Sequence, residues 1–251
     1  MSARTAWIAL ATAVLTAATA CSTSNTSASQ SSSATTLSTS ARPSTPAVTP
    51  TSCTDLGGTV GPDRFCTVHT QTPTYTIDMH YPVDYPDQTA VTGVLKRQRD
   101  QFIQAAGRPH APDAHLALDI KGTTYRSGTP TSGTQSLVFE EYTNLGGAHP
   151  ETEYDAVSYD LGKQAPITFD TMFKSGSDPV AVLDPIVKAD LTKQFAGLPI
   201  DPNLIGDKMY QAFALTDDAV IFFIGQGMWT IEAAGATHVS VPRRDLASIL
   251  A

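Results

Sequence analysis

The chain has 251 residues, a formal net charge of −8 and a sequence pI of about 5.1. Every acidic residue, and every basic residue except Arg4 and Arg42, lies from Cys53 onward, so the C-terminal part is more acidic than the whole chain. Because phosphate binding needs a basic patch, this balance argues against nucleic acid as a partner.

The first 20 residues are typical of an export signal. Arg4 precedes an apolar run, residues 6–20, which is shorter than the roughly 20 residues that span a bilayer. Cys21 follows small residues, as the lipidated cysteine of a bacterial lipobox does, although Ala18 stands where leucine is usual. The same residues suit ordinary signal peptidase, so simple secretion is the alternative. We predict a signal peptide over residues 1–20, lipidation of Cys21 and a location on the outer face of the cell membrane.

The chain has three cysteines, and an odd number in an exported protein needs an explanation. Lipidation accounts for Cys21 and leaves Cys53 and Cys66 to form a disulfide in an oxidising compartment. A zinc site is the less favoured alternative, because the sequence contains no Cys-x-x-Cys pair.

Residues 22–52 are mostly serine and threonine, with prolines near the end and no acidic residue. Such a composition cannot bury enough apolar surface to offset the entropy of ordering, so we predict that residues 21–52 form a disordered tether. The remainder, residues 53–251, has the size of one domain.

Alternation of apolar and polar side chains predicts several strands in this domain. A continuous apolar run near residue 220 predicts a buried strand rather than an exposed recognition strand. In chain order the predicted strands are residues 75–80, 116–121, 135–143, 152–159, 220–224 and 238–241.

Two main helices are predicted. The first runs from about Tyr85 to Ala106, with Asp84 and Asp87 placed to cap it and Gly107 to end it. The second begins at Asp178, and a proline inside it predicts a kink or a restart. A short helix over residues 243–250 ends the chain. The buried positions predicted for the first helix are Val91, Val94, Leu95, Phe102 and Ile103.

The order of elements predicts the fold class. There is no repeat and no regular alternation of strands with helices. This pattern favours an α+β fold, a single domain with a mixed or antiparallel sheet, over a doubly wound fold.

A glycine-rich segment separates two predicted strands at Gly146, Gly147, His149 and Pro150. One interpretation is a binding or catalytic loop, with exposed backbone amides and His149 as a proton carrier. The favoured interpretation is a tight turn, in which the glycines adopt positive φ and Pro150 stiffens the exit.

No motif predicts an enzyme active site. Ester hydrolysis by serine usually shows G-x-S-x-G at a strand-to-helix elbow, which is absent, while Ser127 and Ser175 lie in predicted turns. His149 and His238 would be the available bases. The catalytic residues therefore stay unassigned.

No motif predicts a metal site or a cofactor site either. His110, Asp113 and His115 lie close together, and His80 would have to join them, but two prolines place the first two in a loop. Phosphate-binding and dinucleotide-binding fingerprints are also absent.

Four segments carry a family resemblance: Cys53–Thr59, Tyr81–Gln88, Asn144–Pro150 and Ile167–Asp170. In this order they resemble the mycobacterial secreted immunogenic antigen family. The second half also resembles the extracytoplasmic domain of the lysozyme-sensing anti-sigma factor. The resemblance implies a β-grasp-like arrangement of strands on a helix. It further implies either protein binding, as in the anti-sigma relatives, or cell-wall esterase activity, as described for some antigens.

These observations lead to one functional hypothesis and one alternative. The hypothesis is a lipid-anchored surface protein that binds an envelope or host protein, such as a cationic, lysozyme-like one, without a cofactor. The alternative is a cell-envelope carboxylesterase that acts on acyl esters.

Overall fold

The computed structural model describes residues 51–111, 113–195, 197–200 and 206–251. The export signal, Cys21 and the predicted tether up to residue 50 lie outside these residues. The tether was predicted to extend to residue 52, but Thr51 and Ser52 instead begin a short helix, and Ser52 is buried. The strands in the described part are β1 (Thr59–Val60), β2 (Phe65–Gln71), β3 (Tyr75–Pro82), β4 (Leu116–Ser127), β5 (Thr134–Asn144), β6 (Glu151–Asp160), β7 (Ala165–Ile167), β8 (Phe213–Leu215), β9 (Ala219–Ile224) and β10 (Thr237–Pro242). The α-helices are α1 (Thr51–Asp55), α2 (Gln88–Ala106), α3 (Phe169–Met172), α4 (Pro179–Gln194) and α5 (Arg243–Leu246).

The strands form two sheets. Strands β1 to β7 make a mixed sheet in sequence order, in which only β3 and β4 are parallel, and helix α2 connects that pair. Strands β8, β9 and β10 make a second, antiparallel sheet. The prediction of an α+β domain with a mixed sheet and two main helices is therefore confirmed.

Helix α2 begins three residues later than predicted. Asp87 is the N-cap, and its carboxylate accepts a hydrogen bond from the Ala90 amide at 2.9 Å. Asp84 does not cap the helix but forms an ion pair with Arg126 at 3.0 Å. Ile103, predicted to be buried, is 39% exposed. The buried face of this helix is narrower than the sequence pattern indicated, and Ile103 lies at the edge of that face.

Helix α4 runs without interruption through Pro185, so the prediction of a restart is wrong. Pro185 and Ala181 both lie on the exposed side of the helix. Water can therefore solvate the Ala181 carbonyl that proline leaves without a donor. Helix α5 ends earlier than predicted, at Leu246, because Leu250 instead forms a β-bridge with Phe173.

The described residues form three hydrophobic cores. In the first, helix α2 packs against one face of the large sheet, around fully buried side chains such as Leu95 and Ile120. A second core lies between α4 and the small sheet and includes Trp229 and Phe222. The smallest, around Val138, lies between the large sheet and the small one. The apolar strand β9 is buried, so its interpretation as core is confirmed. No helix in the described ranges is long and apolar enough to cross a membrane.

Candidate functional site

The predicted disulfide is present. The Sγ atoms of Cys53 and Cys66 are 2.02 Å apart, and the bond ties α1 to β2. A Cβ on Gly58 would lie 2.6 Å from the sulfur of Cys66, so glycine leaves the space that the disulfide occupies. The lipidation site, Cys21, lies outside the described residues.

The glycine-rich segment connects β5 to β6 as a turn. Gly146 has a φ of +72°, and its amide donates to the Asn144 side chain at 2.9 Å. A Cβ at this position would lie 2.8 Å from the Cβ of Ala114. His149 and Pro150 are exposed. Gly146, Gly147, His149 and Pro150 thus lie in a turn, but Gly147, which was expected to share the positive φ of Gly146, does not.

The structure does not bring the candidate serines and histidines of a serine hydrolase into contact with one another. No serine hydroxyl is hydrogen-bonded to a histidine ring among the residues described. Ser127 instead bonds to the hydroxyl of Thr134 at 2.7 Å, Ser175 lies in an exposed turn, and His238 lies against the ring of Phe223. The catalytic residues of an esterase therefore stay unassigned.

The histidines near the end of α2 do not converge. His110 bonds to the carbonyl of Arg108 at 2.9 Å, whereas His115 bonds to the hydroxyl of Thr76 at 2.9 Å. The part of the chain that the structure describes contains no group of three His, Cys, Asp or Glu side chains able to hold a metal ion.

A group of carboxylates lies at the ends of β5 and β6, beside the turn. Glu141 follows Leu137 and Phe139 on the face that contacts α2, and Glu153 is its partner across the strand pair. Glu151 lies one position nearer the turn on the same face. We call the three glutamates Glu141, Glu151 and Glu153, with Leu145, the acidic hairpin end.

A cavity of about 170 Å³ lies between α2 and this hairpin end. Three carboxylates, two amides and two apolar side chains line most of it: Glu141, Glu151, Glu153, Gln98, Gln101, Phe102 and Leu145. The cavity therefore offers hydrogen-bond acceptors close to an apolar surface.

Glu141 is only 8% exposed. This burial, followed by the nearby charges of Asp155 and Glu153, raises the pKa of its carboxyl to about 7. A hydrogen bond from the Thr143 hydroxyl at 3.4 Å and the charge of Arg97 act in the opposite direction. Burial also raises the pKa of Glu153. The negatively charged form of both carboxyl groups is therefore poorly stabilised by its surroundings.

The acidic hairpin end lacks internal cations. Within the described ranges, none of its three glutamates forms an ion pair with a basic side chain. Arg97 instead pairs with Asp155 at 2.9 Å. Leu145 is 41% exposed. Negative charge beside exposed apolar surface is suited to receive a cationic side chain from a partner.

Sequence reasoning missed this site. Glu141 lies in a strand that contains several apolar residues. A charged residue in such a strand is ordinarily assigned to the exposed face. The available signal was the parity of the strand, because Glu141 shares its side with the buried Leu137 and Phe139.

Comparison with known proteins identifies the family of this exported-type α+β domain. The esterase Rv3036c of Mycobacterium tuberculosis is 41% identical over 199 residues, which cover 78% of this chain and 88% of the esterase. The immunogenic protein MPT64 of M. tuberculosis is 40% identical over 207 residues, which cover 82% of this chain and 90% of that protein.

Two further comparisons concern the domain alone. A family model described as a protein of unknown function, DUF3298, matches residues 170–244. A crystal structure of a DUF3298 family protein from Pseudomonas aeruginosa has a TM-score of 0.47 and 14% identity, covering 74% of this chain and 93% of that one.

The chain belongs to the family of mycobacterial immunogenic proteins that includes MPT64 and the esterase Rv3036c. The resemblance of the sequence motifs to the mycobacterial secreted immunogenic antigen family is thereby confirmed. Since a disulfide persists in oxidising compartments, the Cys53–Cys66 bond and the family together make this an exported protein.

Proposed function

We propose that this protein is anchored to the cell envelope through a lipid on Cys21. Its domain would bind a cationic protein or peptide through the acidic hairpin end. The observation that carries the binding proposal is the set of three glutamates without a cationic ion-pair partner, next to exposed Leu145.

The physical argument rests on electrostatics and desolvation. A lysine or arginine entering the cavity would meet Glu141, Glu151 and Glu153 at once, and a partner that covers the site would displace water that screens these charges. The exposed apolar surface of Leu145 would be buried by the same partner. Complementary charge would also accelerate association at low salt.

The test uses hen lysozyme as a cationic probe protein and follows its binding by calorimetry. The double variant Glu151→Lys, Glu153→Lys should weaken binding by about 10-fold or more at low salt. The binding of the unaltered protein should weaken as salt rises, because salt screens exposed charges.

A matched control is the double variant Asp218→Lys, Asp245→Lys, which makes the same change in net charge. Asp218 directly precedes β9, whereas Gln226, which bonds to Thr152 beside the hairpin end, follows that strand. It should bind the probe with an affinity close to that of the unaltered protein. Equal losses in both double variants would show a general charge effect and would contradict a site at the hairpin end. Absence of binding by the unaltered protein would refute the lysozyme-like partner.

A second candidate function, a carboxylesterase, is favoured by one observation. A relative that is 41% identical bears the name esterase. A serine esterase should hydrolyse a nitrophenyl ester, and a fluorophosphonate should abolish turnover while adding to one serine, as intact mass would show. Turnover that persists without labelling would instead be catalysis by surface groups and would argue against this function.

A further inference from the structure

The outer edge of β6 is open over residues 153–157. Strand β7 pairs with β6 only from Ser158 to Asp160. Near the other end, the Gln226 amide donates to the Thr152 carbonyl at 2.9 Å. Between these two points, no described residue makes a backbone hydrogen bond to this edge. On this side, the centre of β6 therefore has no neighbouring strand among the described residues.

The direction of the free backbone groups follows from the register. Along an antiparallel strand, the N–H and C=O of alternate residues point to the same edge. The Thr152 carbonyl points outward because it accepts from Gln226, and Ser158 faces its β7 partner. Tyr154 and Ala156 share this direction. Each therefore presents one N–H donor and one C=O acceptor to the open edge.

A cleft of about 320 Å³ runs along this edge. Tyr85 and Ala90, at the start of α2, line one side, and Ala212 and Phe213 line the other. Tyr85, Phe213 and Ala212 each belong to a different hydrophobic core, so these walls are apolar on both sides of the edge. A chain lying in the cleft would be covered on both faces.

The charges in the cleft are of one sign. Among the described residues that line it, Asp87 and Asp155 carry the charges. Asp155 already accepts from Arg97 at 2.9 Å and from Gln98, and Asp87 caps α2. A basic side chain would be attracted to this pair, and an acidic one repelled.

We propose that the open edge of β6 binds an extended peptide segment of another protein, which adds to the sheet as an antiparallel strand continuing the line of β7. Free donors and acceptors at Tyr154 and Ala156 are complementary to a polypeptide main chain, which is the basis of recognition by strand addition. Side chains opposite Tyr154 and Ala156 would face Ala212 and should be apolar. The residue between them would lie beside Asp155 and should be Lys or Arg.

This site is separate from the acidic hairpin end and does not rest on the proposed function. The test measures binding of a positional-scanning library of short synthetic peptides to the full domain by fluorescence polarisation. Binders should carry Lys or Arg between two apolar residues. N-methylation of the two peptide amides that donate to Tyr154 and Ala156 should weaken binding by about 10-fold or more, and methylation of the amide between them should not.

The variant Ala90→Trp fills the cleft from α2 and should abolish peptide binding. The control Thr89→Trp adds the same side chain at the neighbouring, exposed position and should leave binding within about 2-fold. Both variants should keep the lysozyme binding of the unaltered protein, which separates this site from the hairpin end. The proposal would be overturned if no library member binds. It would equally be overturned if binding withstands Ala90→Trp, or if methylation effects show no alternation along the peptide.

Discussion

Glu141 is an ionisable side chain in an otherwise apolar row of β5, and its burial has a consequence for stability. The pKa of Glu141 is raised to about 7 in the folded protein from an ordinary value of 4.5. Between these two values the folded state holds a proton that the unfolded state has lost, so the free energy of unfolding falls as pH rises. Above about pH 7 the full penalty of the buried charge is present, about 3 kcal/mol.

Glu141→Gln should therefore make the protein more stable than the unaltered one at about pH 8, and should remove most of the fall in stability between about pH 5 and pH 7. Urea unfolding at the two ends of this range measures the effect. Glu140→Gln is the control, because Glu140 is exposed on the opposite face of the same strand. A pH dependence that survives in the Glu141 variant would show that another group is responsible.

At the scale of the helix, Pro185 stands within α4 although it cannot donate a hydrogen bond to Ala181. Pro185→Ala restores that donor and removes the steric clash of the ring with the preceding turn. We expect it to raise the free energy of unfolding by about 1–3 kcal/mol, less the chain entropy that proline removes from the unfolded state.

Pro179→Ala is the matched comparison, because Pro179 occupies the first turn of the same helix, where proline is well tolerated. It should leave stability nearly unchanged. The denaturant concentrations at which the two variants are half unfolded measure these changes in stability. A Pro185 variant that unfolds at the same or a lower denaturant concentration would mean that α4 is not strained at this position.

Elements with a strong local signal were predictable from sequence, and elements defined by partners were not. The alternation around Ile77 and the capping by Asp87 are local and appear in the structure as expected. Strand β8, by contrast, is only three buried residues, and its place depends on Leu215 donating to the distant Ser136 hydroxyl at 3.1 Å. The acidic cavity likewise needs α2 to lie across Glu141, which no spacing within β5 reveals.

At the scale of the whole molecule, the proposed binding at the cell surface requires that the acidic domain is retained there by an anchor. Cys21 supplies that anchor in our proposal. Acylation with more than one chain gives stable membrane attachment, whereas a single chain gives marginal attachment. The length of the intervening segment, residues 22–50, would then set how far the domain reaches from the membrane.

Cys21→Ser removes the thiol that would carry the lipid but leaves the apolar run of the signal intact, so export should continue. We expect the variant to move from the membrane fraction to the culture medium, with an intact mass that lacks acyl groups. Ser22→Ala, at the neighbouring position, should stay in the membrane fraction like the unaltered protein. If the Cys21 variant stays there too, the domain is held by contacts other than a lipid. If the unaltered protein is itself found in the medium, cleavage by ordinary signal peptidase is the correct interpretation of the N-terminus.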